Sequence, residues 1–195
     1  VCAACWSAVR TPSPPLCRTC GDPLPSWRIL SLRTAQCARC RRGPTFIDAG
    51  RCAGDYDGAL RAIIHAFKYD GRRSLARPLG RLMRATGPDL MEDATCVVPV
   101  PLHPWRRVRR GFNQAADLAR ELERPMVHAL WRARPTRAQA GLTAAARRRN
   151  VRRAFVLSPL LRASTRASSI EGRIVVLVDD VRTTGATLNA CAEVL

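Results

Sequence analysis

The sequence predicts an α/β fold in which helices flank a mainly parallel sheet, preceded by a small cysteine-rich domain. Short apolar segments of strand length alternate with segments of helical periodicity, one of the strands is apolar throughout, and cysteines recur in pairs near the start. Alternating strands and helices are typical of βαβ units, and a strand that is apolar on both faces is typical of a parallel sheet. We predict a cysteine-rich domain over residues 1–44 and an α/β domain over residues 45–195.

The elements follow from apolar spacing. Helices are predicted over residues 58–69, 75–85 and 112–122, and from residue 185 to the end. Strands are predicted over residues 95–100, 154–157 and 173–178, with a strand or strand pair over 45–56. The all-apolar run 174–178 predicts a strand buried on both faces, central in the sheet. Residues 132–153 are predicted to form a mobile basic loop and a short helix, and residues 158–171 a loop.

The chain is strongly basic. Lysine and arginine number 33 against 15 acidic residues, which gives a net charge of +18, and Lys68 is the sole lysine. Such a surplus indicates either a solvated basic surface or an anionic partner such as phosphate esters or nucleic acid. The aromatic content of 5% argues against a long base-stacking groove.

Membrane insertion is not expected, since no run of about 18 uncharged apolar residues occurs. No signal peptide is visible at the start of the chain, and six of the nine cysteines form C-x-x-C pairs. These features indicate metal binding in a reducing compartment, so we expect a cytoplasmic protein. Because the chain starts with valine and ends within a helical pattern, we expect residues to be missing at both ends.

The cysteine pairs predict a zinc site. They are Cys2/Cys5, Cys17/Cys20 and Cys37/Cys40. The separation of the last two pairs suits a four-thiolate zinc ion that holds together a segment too small to fold alone. Three pairs exceed one tetrahedral ion, so Cys2/Cys5 either partners another pair upstream or replaces one of the other two. Disulfides and unliganded thiols are the alternatives.

The segment from Val175 to Leu188 carries the most specific pattern. The apolar strand ends in Asp179 and Asp180, and a threonine-rich turn containing Gly185 leads directly into a helix. A helix start favours an anion, glycine lets a backbone approach it, and carboxylates suit ribose hydroxyls or a metal-bound water. No P-loop or dinucleotide-binding motif is present. The pattern predicts a site for a ribose 5-phosphate, the alternative being an ordinary strand and a helix capped by the aspartates.

This string resembles the phosphoribosyl pyrophosphate (PRPP) signature of the type I phosphoribosyltransferases, and within them the chain resembles the ComF family. The resemblance covers nearly the whole chain. It is carried by the cysteine pairs, the signature, and the segments HAFKYDGR (65–72), VPVPLHPWRRVRRGFNQA (98–115) and QAGLTAAARRRNVRRAF (139–155). It implies a type I phosphoribosyltransferase-like parallel sheet with an N-terminal zinc ribbon.

The resemblance also implies residue roles. Asp179 and Asp180 would hold the ribose hydroxyls, the pyrophosphate loop would lie at residues 100–103, and residues 132–150 would form a flexible lid. The PRPP-binding set it implies is Asp179, Asp180, Val181, Arg182, Thr183, Thr184, Gly185, Ala186, Thr187, Val100 and Pro101.

Three basic residues complete the predicted catalytic set with the two aspartates. Lys68 is expected to contact the pyrophosphate or its metal, because a compact ammonium differs from a guanidinium in geometry. Arg109 and Arg110 follow the strand that ends near Val100 and can pair bidentately with phosphate oxygens. For each of these residues, a solvated surface position is the alternative.

Two functions follow. The first is an Mg²⁺-dependent phosphoribosyltransferase that binds PRPP and transfers its phosphoribosyl group to an unknown acceptor. The second, implied by the ComF resemblance, is a non-catalytic DNA-uptake factor of natural transformation. It would bind single-stranded DNA alongside a competence helicase.

Overall fold

A computed structural model describes residues 1–25, 35–43, 45–134, 143–162 and 170–195. They form two compact units, Val1–Glu92 and Asp93–Leu195. The predicted domain boundary between residues 44 and 45 lies at a different position from the boundary between these two units, and it stays a prediction. Within the described ranges, no helix is long and apolar enough to cross a bilayer.

The first unit is helical. Its elements are α1 (Ala3–Ser7), α2 (Ala38–Arg41), α3 (Gly58–Tyr69), a 3₁₀ turn (Arg73–Leu75), α4 (Ala76–Thr86) and α5 (Pro88–Glu92). Helix α3 buries Leu60, Ile63, Ile64 and Phe67, one apolar stripe at helical spacing. The predicted helices over 58–69 and 75–85 are therefore confirmed.

The second unit is α/β. Its elements are β1 (Cys96–Pro99), α6 (Pro104–Arg110), α7 (Gln114–Arg120), β2 (Leu130–Arg132), α8 (Ala144–Val151), β3 (Phe155–Leu157), α9 (Pro159–Arg162), β4 (Val175–Val178) and α10 (Ala186–Ala192). Helix α7 packs against both β1 and β4. The strands predicted near residues 95–100, 154–157 and 173–178 are all present, as are the helices within 112–122 and after 185.

Parallel strands β1 and β4 organise this unit. They pair in register from Cys96 opposite Val175 to Pro99 opposite Val178. On the other side of β1, the Val97 carbonyl accepts from the Val127 amide at 2.9 Å. Strand β1 is thus flanked on both sides, and Val97 is fully buried. The chain leaves both strands at the same edge of the sheet.

The predicted central position of β4 was wrong for the described residues. Only Val178 of this strand is buried, whereas the other three residues are half-buried. Strand β1 is the buried one, with all four residues inaccessible. An all-apolar run shows that a strand is covered, but it does not show which of two such strands lies between the others.

The strand predicted over 45–56 was also wrong, since the described part of this segment contains no strand. Its backbone bonds go to distant loops instead: the Gly50 amide donates to the Arg18 carbonyl at 2.8 Å, and the Asp55 amide to the Arg10 carbonyl at 2.9 Å. A Cβ at Gly50 would lie 2.7 Å from the Thr19 carbonyl oxygen. Close backbone contact therefore replaces ladder pairing here.

The basic segment after residue 129 contains more structure than predicted. Strands β2 and β3 pair antiparallel, with Leu130 opposite Leu157 and Arg132 opposite Phe155. The predicted short helix is α8, whose first turn is capped by Thr143 Oγ1 accepting from the Ala146 amide at 3.2 Å. Part of the predicted lid, residues 135–142, lies outside the described residues. The segment predicted as loop after residue 158 begins with α9, and its residues 163–169 also lie outside.

We predict that Leu118→Ala destabilises the second unit by about 2–5 kcal/mol, because it opens a cavity where α7 meets the parallel strands. Leu118 is 2% exposed. Chemical denaturation monitored by circular dichroism measures the free energy of unfolding. The matched control is Leu160→Ala at a leucine that is 83% exposed, for which a change within about 0.5 kcal/mol is expected. Equal effects of the two substitutions would contradict this packing.

Candidate functional site

The register of the parallel strands brings two predicted loops together. Val100, the first residue after β1, donates its amide to the Val178 carbonyl at 2.9 Å. Asp179 follows directly, and its Oδ1 accepts from the Asp180 amide at 2.9 Å. Ligands of open α/β sheets bind beyond the carboxyl ends of strands. The residues predicted for the pyrophosphate and for the ribose therefore begin side by side at that edge.

The turn after β4 forms a small cleft that is open to solvent. The lining residues are Asp179, Val181, Arg182, Thr183, Gly185, Ala186, Thr187 and Leu188. The hydroxyl of Thr184 accepts from the Ala186 amide at 3.4 Å, which holds the turn at the start of α10.

Gly185 gives the turn its shape. Its φ of +76° is a left-handed conformation that costs an L-residue about 1–2 kcal/mol. A Cβ built there would meet no atom within 4 Å, so the space in front of the glycine is open. The conformation, and not crowding, is therefore the local reason for glycine here.

Most of the predicted ribose phosphate residues line this cleft, but Asp180 and Thr184 do not. Asp180 is half-buried, and the Thr184 hydroxyl is used within the turn. Val100 is buried and Pro101 half-buried, so the start of the predicted pyrophosphate loop offers mainly its backbone. The Val100 carbonyl accepts from Asn113 Nδ2 at 3.1 Å, which ties this loop to the start of α7.

The three predicted basic residues lie on two helices, one in each unit. Arg109 is exposed on α6, whereas Arg110 is half-buried and donates to Gln114 Oε1 at 3.2 Å. Lys68 is half-buried on α3 in the first unit. The pyrophosphate contacts of all three stay predictions.

A buried arginine at this edge of the second unit was missed from the sequence. Arg132, the last residue of β2, is 4% exposed, and its guanidinium carbon lies 5.3 Å from the centre of the Phe155 ring. Burial lowers the pKa of Arg132 and the charge of Arg106 lowers it further, while Cys191 and Asp179 oppose the shift. A buried cation thus lies within electrostatic reach of Asp179. The alternation of residue types over Leu130–Arg132 could have predicted this strand, but the surrounding arginines favoured the prediction of a loop.

Four cysteines of the first unit form a second candidate site. Cys17, Cys20, Cys37 and Cys40 place their sulfur atoms within 4.8 Å of one another. The sulfurs of Cys20 and Cys37 are 3.7 Å apart. Tetrahedral zinc with bonds of about 2.3 Å places its sulfur ligands about 3.8 Å apart. The arrangement fits one such ion.

The protonation of these thiols favours a cation. Burial opposes ionisation of Cys17, yet hydrogen bonds from the Cys37 and Cys20 amides outweigh it and lower the Cys17 pKa to about 7. Burial raises the pKa of Cys40 to about 11 and also raises that of Cys20. Several thiolates can therefore coexist here only with a positive ion among them.

The pair Cys2/Cys5 lies outside this four-cysteine cluster. Both thiols are exposed, and their sulfur atoms are 3.4 Å apart. This geometry does not favour the alternative in which the pair replaces one of the other two. Its metal role stays a prediction.

The chain is similar to one family model and to several curated proteins. Residues 108–195 match the family model described as "Phosphoribosyl transferase domain". The whole chain aligns at 34% identity with 83% of "DNA utilization protein YhgH" of Escherichia coli K12. It also aligns at 30% identity with 83% of "Competence protein F" of Haemophilus influenzae, and at 29% with 77% of "Competence protein ComFC" of Bacillus subtilis. No solved structure matches the chain.

These relatives align over the full chain, so the aligned length spans both the segment with the cysteine cluster and the segment with the cleft after β4. The predicted resemblance is confirmed: the chain belongs to the ComF family and has a phosphoribosyltransferase-like fold with a small N-terminal cysteine cluster of zinc-ribbon type.

Proposed function

We propose that the protein binds PRPP, or another ribose 5-phosphate, in the cleft after β4. The proposal rests on the order in which functional groups follow one another along the turn after β4. A carboxylate at Asp179 is followed by a left-handed Gly185 at the opening of α10, and both line one open cleft. Such a turn offers backbone amides to a phosphate, while the carboxylate accepts hydrogen bonds from ribose hydroxyls. The family relationship supports the same ligand.

The groups around the cleft suit a bound divalent ion as well as a sugar. Asp179 and Asp180 supply carboxylate oxygens, the ligands that Mg²⁺ prefers. When bound together with PRPP, Mg²⁺ neutralises pyrophosphate charge. The backbone at Val100 and Pro101, tied by Asn113, then lies beside the aspartates to hold the diphosphate end.

Transfer would proceed at the ribose C1′. A nucleophile on the acceptor attacks this carbon, the bond from C1′ to the pyrophosphate oxygen breaks, and pyrophosphate leaves with the bond electrons. The protein's part is to position the ribose through Asp179 and Asp180. Lys68, Arg109 and Arg110 are proposed to bind the departing charge. The acceptor is not identified by any group in the described cleft.

We further propose that the cluster of Cys17, Cys20, Cys37 and Cys40 holds a structural zinc ion. The described thiol geometry supports a closed four-sulfur site without an open position for substrate. The neighbouring amide that donates to Cys17 Sγ comes from Cys37 at 3.3 Å, so the two cysteine pairs already organise one another.

A second candidate function is single-stranded DNA binding in DNA uptake, together with a competence helicase and in the cytoplasm. The relatives named for DNA utilization and competence favour it, as does the net charge of +18. Arginine and lysine side chains neutralise nucleic-acid phosphates and release their counterions, so a basic surface favours such a partner. The two functions are compatible, because one concerns the cleft and the other the basic surface.

We predict that PRPP with Mg²⁺ stabilises the protein against heat. At 100 times the dissociation constant, the ligand adds about 2.7 kcal/mol, which raises the melting temperature by about 5–10 °C for a chain of this size. The variants Asp179→Asn and Gly185→Ala should each reduce this shift. The first removes the charge that faces the ribose. The second strains the turn and adds a methyl group to the open space before it.

Leu160→Ala serves as the control for this measurement and should keep the full shift, since Leu160 is exposed on α9. Differential scanning fluorimetry with and without PRPP provides the readout. An unchanged melting temperature of the unsubstituted protein at saturating PRPP and Mg²⁺ would refute the ribose phosphate proposal.

The zinc proposal predicts about one zinc ion per chain, bound by the four-cysteine cluster. Cys20→Ser and Cys37→Ser should lose it and melt earlier, because the segment cannot form a core alone. Cys52→Ser is the matched control: the Cys52 thiol donates to the Cys20 carbonyl at 3.8 Å but lies outside the cluster. Metal analysis by mass spectrometry after gel filtration decides. Equal zinc in all three variants would exclude the assignment.

For DNA, we predict a steep salt dependence of binding to a single-stranded oligonucleotide. With about five phosphate contacts, affinity should fall about 100-fold when salt rises from about 50 to about 200 mM. Fluorescence anisotropy of a labelled oligothymidylate measures this slope. A flat response, or no binding at low salt, would remove the second function.

A further inference from the structure

Helix α6 presents an unusual surface on the second unit. Trp105 is 78% exposed and Val108 is 79% exposed. Residues three apart lie on the same face of a helix, so the two side chains form one apolar strip. A solvent-exposed tryptophan on a regular helix is a typical sign of an interaction site.

The apolar strip is surrounded by positive charge. Four of the seven residues of α6 are arginines, and no acidic residue occurs anywhere from residue 94 to residue 116. Arg107 and Arg109 are exposed. Within the ranges that the structure describes, no carboxylate forms an ion pair with either of them.

The positive charge of these arginines also lowers the pKa values of neighbouring groups. The pKa of His128 is lowered by burial first, and then by Arg120 and Arg107. Arg106 likewise lowers the pKa of Arg132. The charge on α6 is therefore part of a wider positive potential on this unit.

Helix α6 is held in a defined position. Pro104 starts the helix, and Gly111 ends it in a left-handed conformation with its amide donating to the Arg107 carbonyl at 2.8 Å. Behind it, Phe112 is buried, and Asn113 bonds the Val100 carbonyl. Trp105 and Val108 are thus exposed on a helix whose start and end are both well defined.

We propose that this face, formed by Trp105, Val108 and Arg109, is the docking surface for single-stranded nucleic acid. The inference rests on the second proposed function, whose binding surface it names. An aromatic ring flanked by guanidinium groups matches a strand whose bases are free to stack and whose phosphates need counter-charges.

Two other occupants fit the charges less well. A second copy of this chain would bring two arginine-rich faces together, and like charges in an interface are repulsive. A duplex buries its base faces, so it would engage the arginines but leave the tryptophan unused. The charge of the surface and the exposed ring together favour a single strand.

Two substitutions test the assignment, with a short oligothymidylate as the probe. Trp105→Ala should weaken binding at least about fivefold, because stacking of a base on an aromatic ring is lost. Arg109→Gln, four residues from Trp105 on the same face, should reduce the slope of log affinity against log salt by about 0.7, the value for one phosphate contact on a single strand. Trp105 does not line the cleft after β4, so the PRPP-induced melting shift should be unchanged in Trp105→Ala.

Two matched controls are needed. One tests whether binding depends on this surface rather than on positive charge elsewhere, and the other tests whether quenching comes from Trp105 rather than from another tryptophan. Arg81→Gln removes an exposed arginine of α4, where no aromatic residue lies on the same helix, and should leave affinity nearly unchanged. Tryptophan emission should be quenched by the oligonucleotide in the unsubstituted protein. The quenching should be retained in Trp131→Phe, whose tryptophan is 43% exposed on β2, and largely lost in Trp105→Phe.

The outcomes distinguish the surface from the function. Salt-dependent binding that is unaffected by Trp105→Ala and shows no loss of quenching in Trp105→Phe overturns the surface while the DNA function stands. Absence of binding overturns both. Equal, Trp105-dependent affinity for a duplex overturns the single-strand assignment. So does a Trp105-dependent dimer seen by analytical ultracentrifugation without DNA.

Discussion

The parallel pairing of β1 with β4 is the interaction on which the candidate ligand site depends. Its last hydrogen bond joins the Val100 amide to the Val178 carbonyl, one residue before Asp179. Because both strands run in the same direction, the chain leaves them at one edge. The carboxylates and the loop after β1 are far apart in sequence, and this ladder makes them neighbours. Buried β1 and the covering helix α7 keep the edge in place.

Positive charge in the second unit is divided between two environments. Arg132 is buried against Phe155 and lies within reach of Asp179, where a desolvated guanidinium needs nearby negative charge and an aromatic face. Arg107 and Arg109 are solvated on α6 beside Trp105. The same residue type thus has a structural role in one place and is available to a partner in the other. Charge counting alone does not separate these roles.

In the first unit, four cysteines cluster in a segment with little apolar periodicity. Cys17 and Cys20 are buried, and Cys37 and Cys40 are half-buried near them. The thiols resist joint ionisation because of burial, so the segment is expected to be stable only with a cation among them.

Local patterns were sufficient for the helices α3 and α4, for β1 and β4, and for the turn at Gly185, because periodicity and turn chemistry are properties of neighbouring residues. The spacing of the cysteines also predicted that Cys17, Cys20, Cys37 and Cys40 come together. Tertiary contacts alone decided that β1 is the covered strand and that residues 45–56 bond to loops near Arg10 and Arg18. They also decided that Arg132 is buried while Trp105 is exposed. Each of these depends on which distant segment packs against the residue, and no local pattern contains that information.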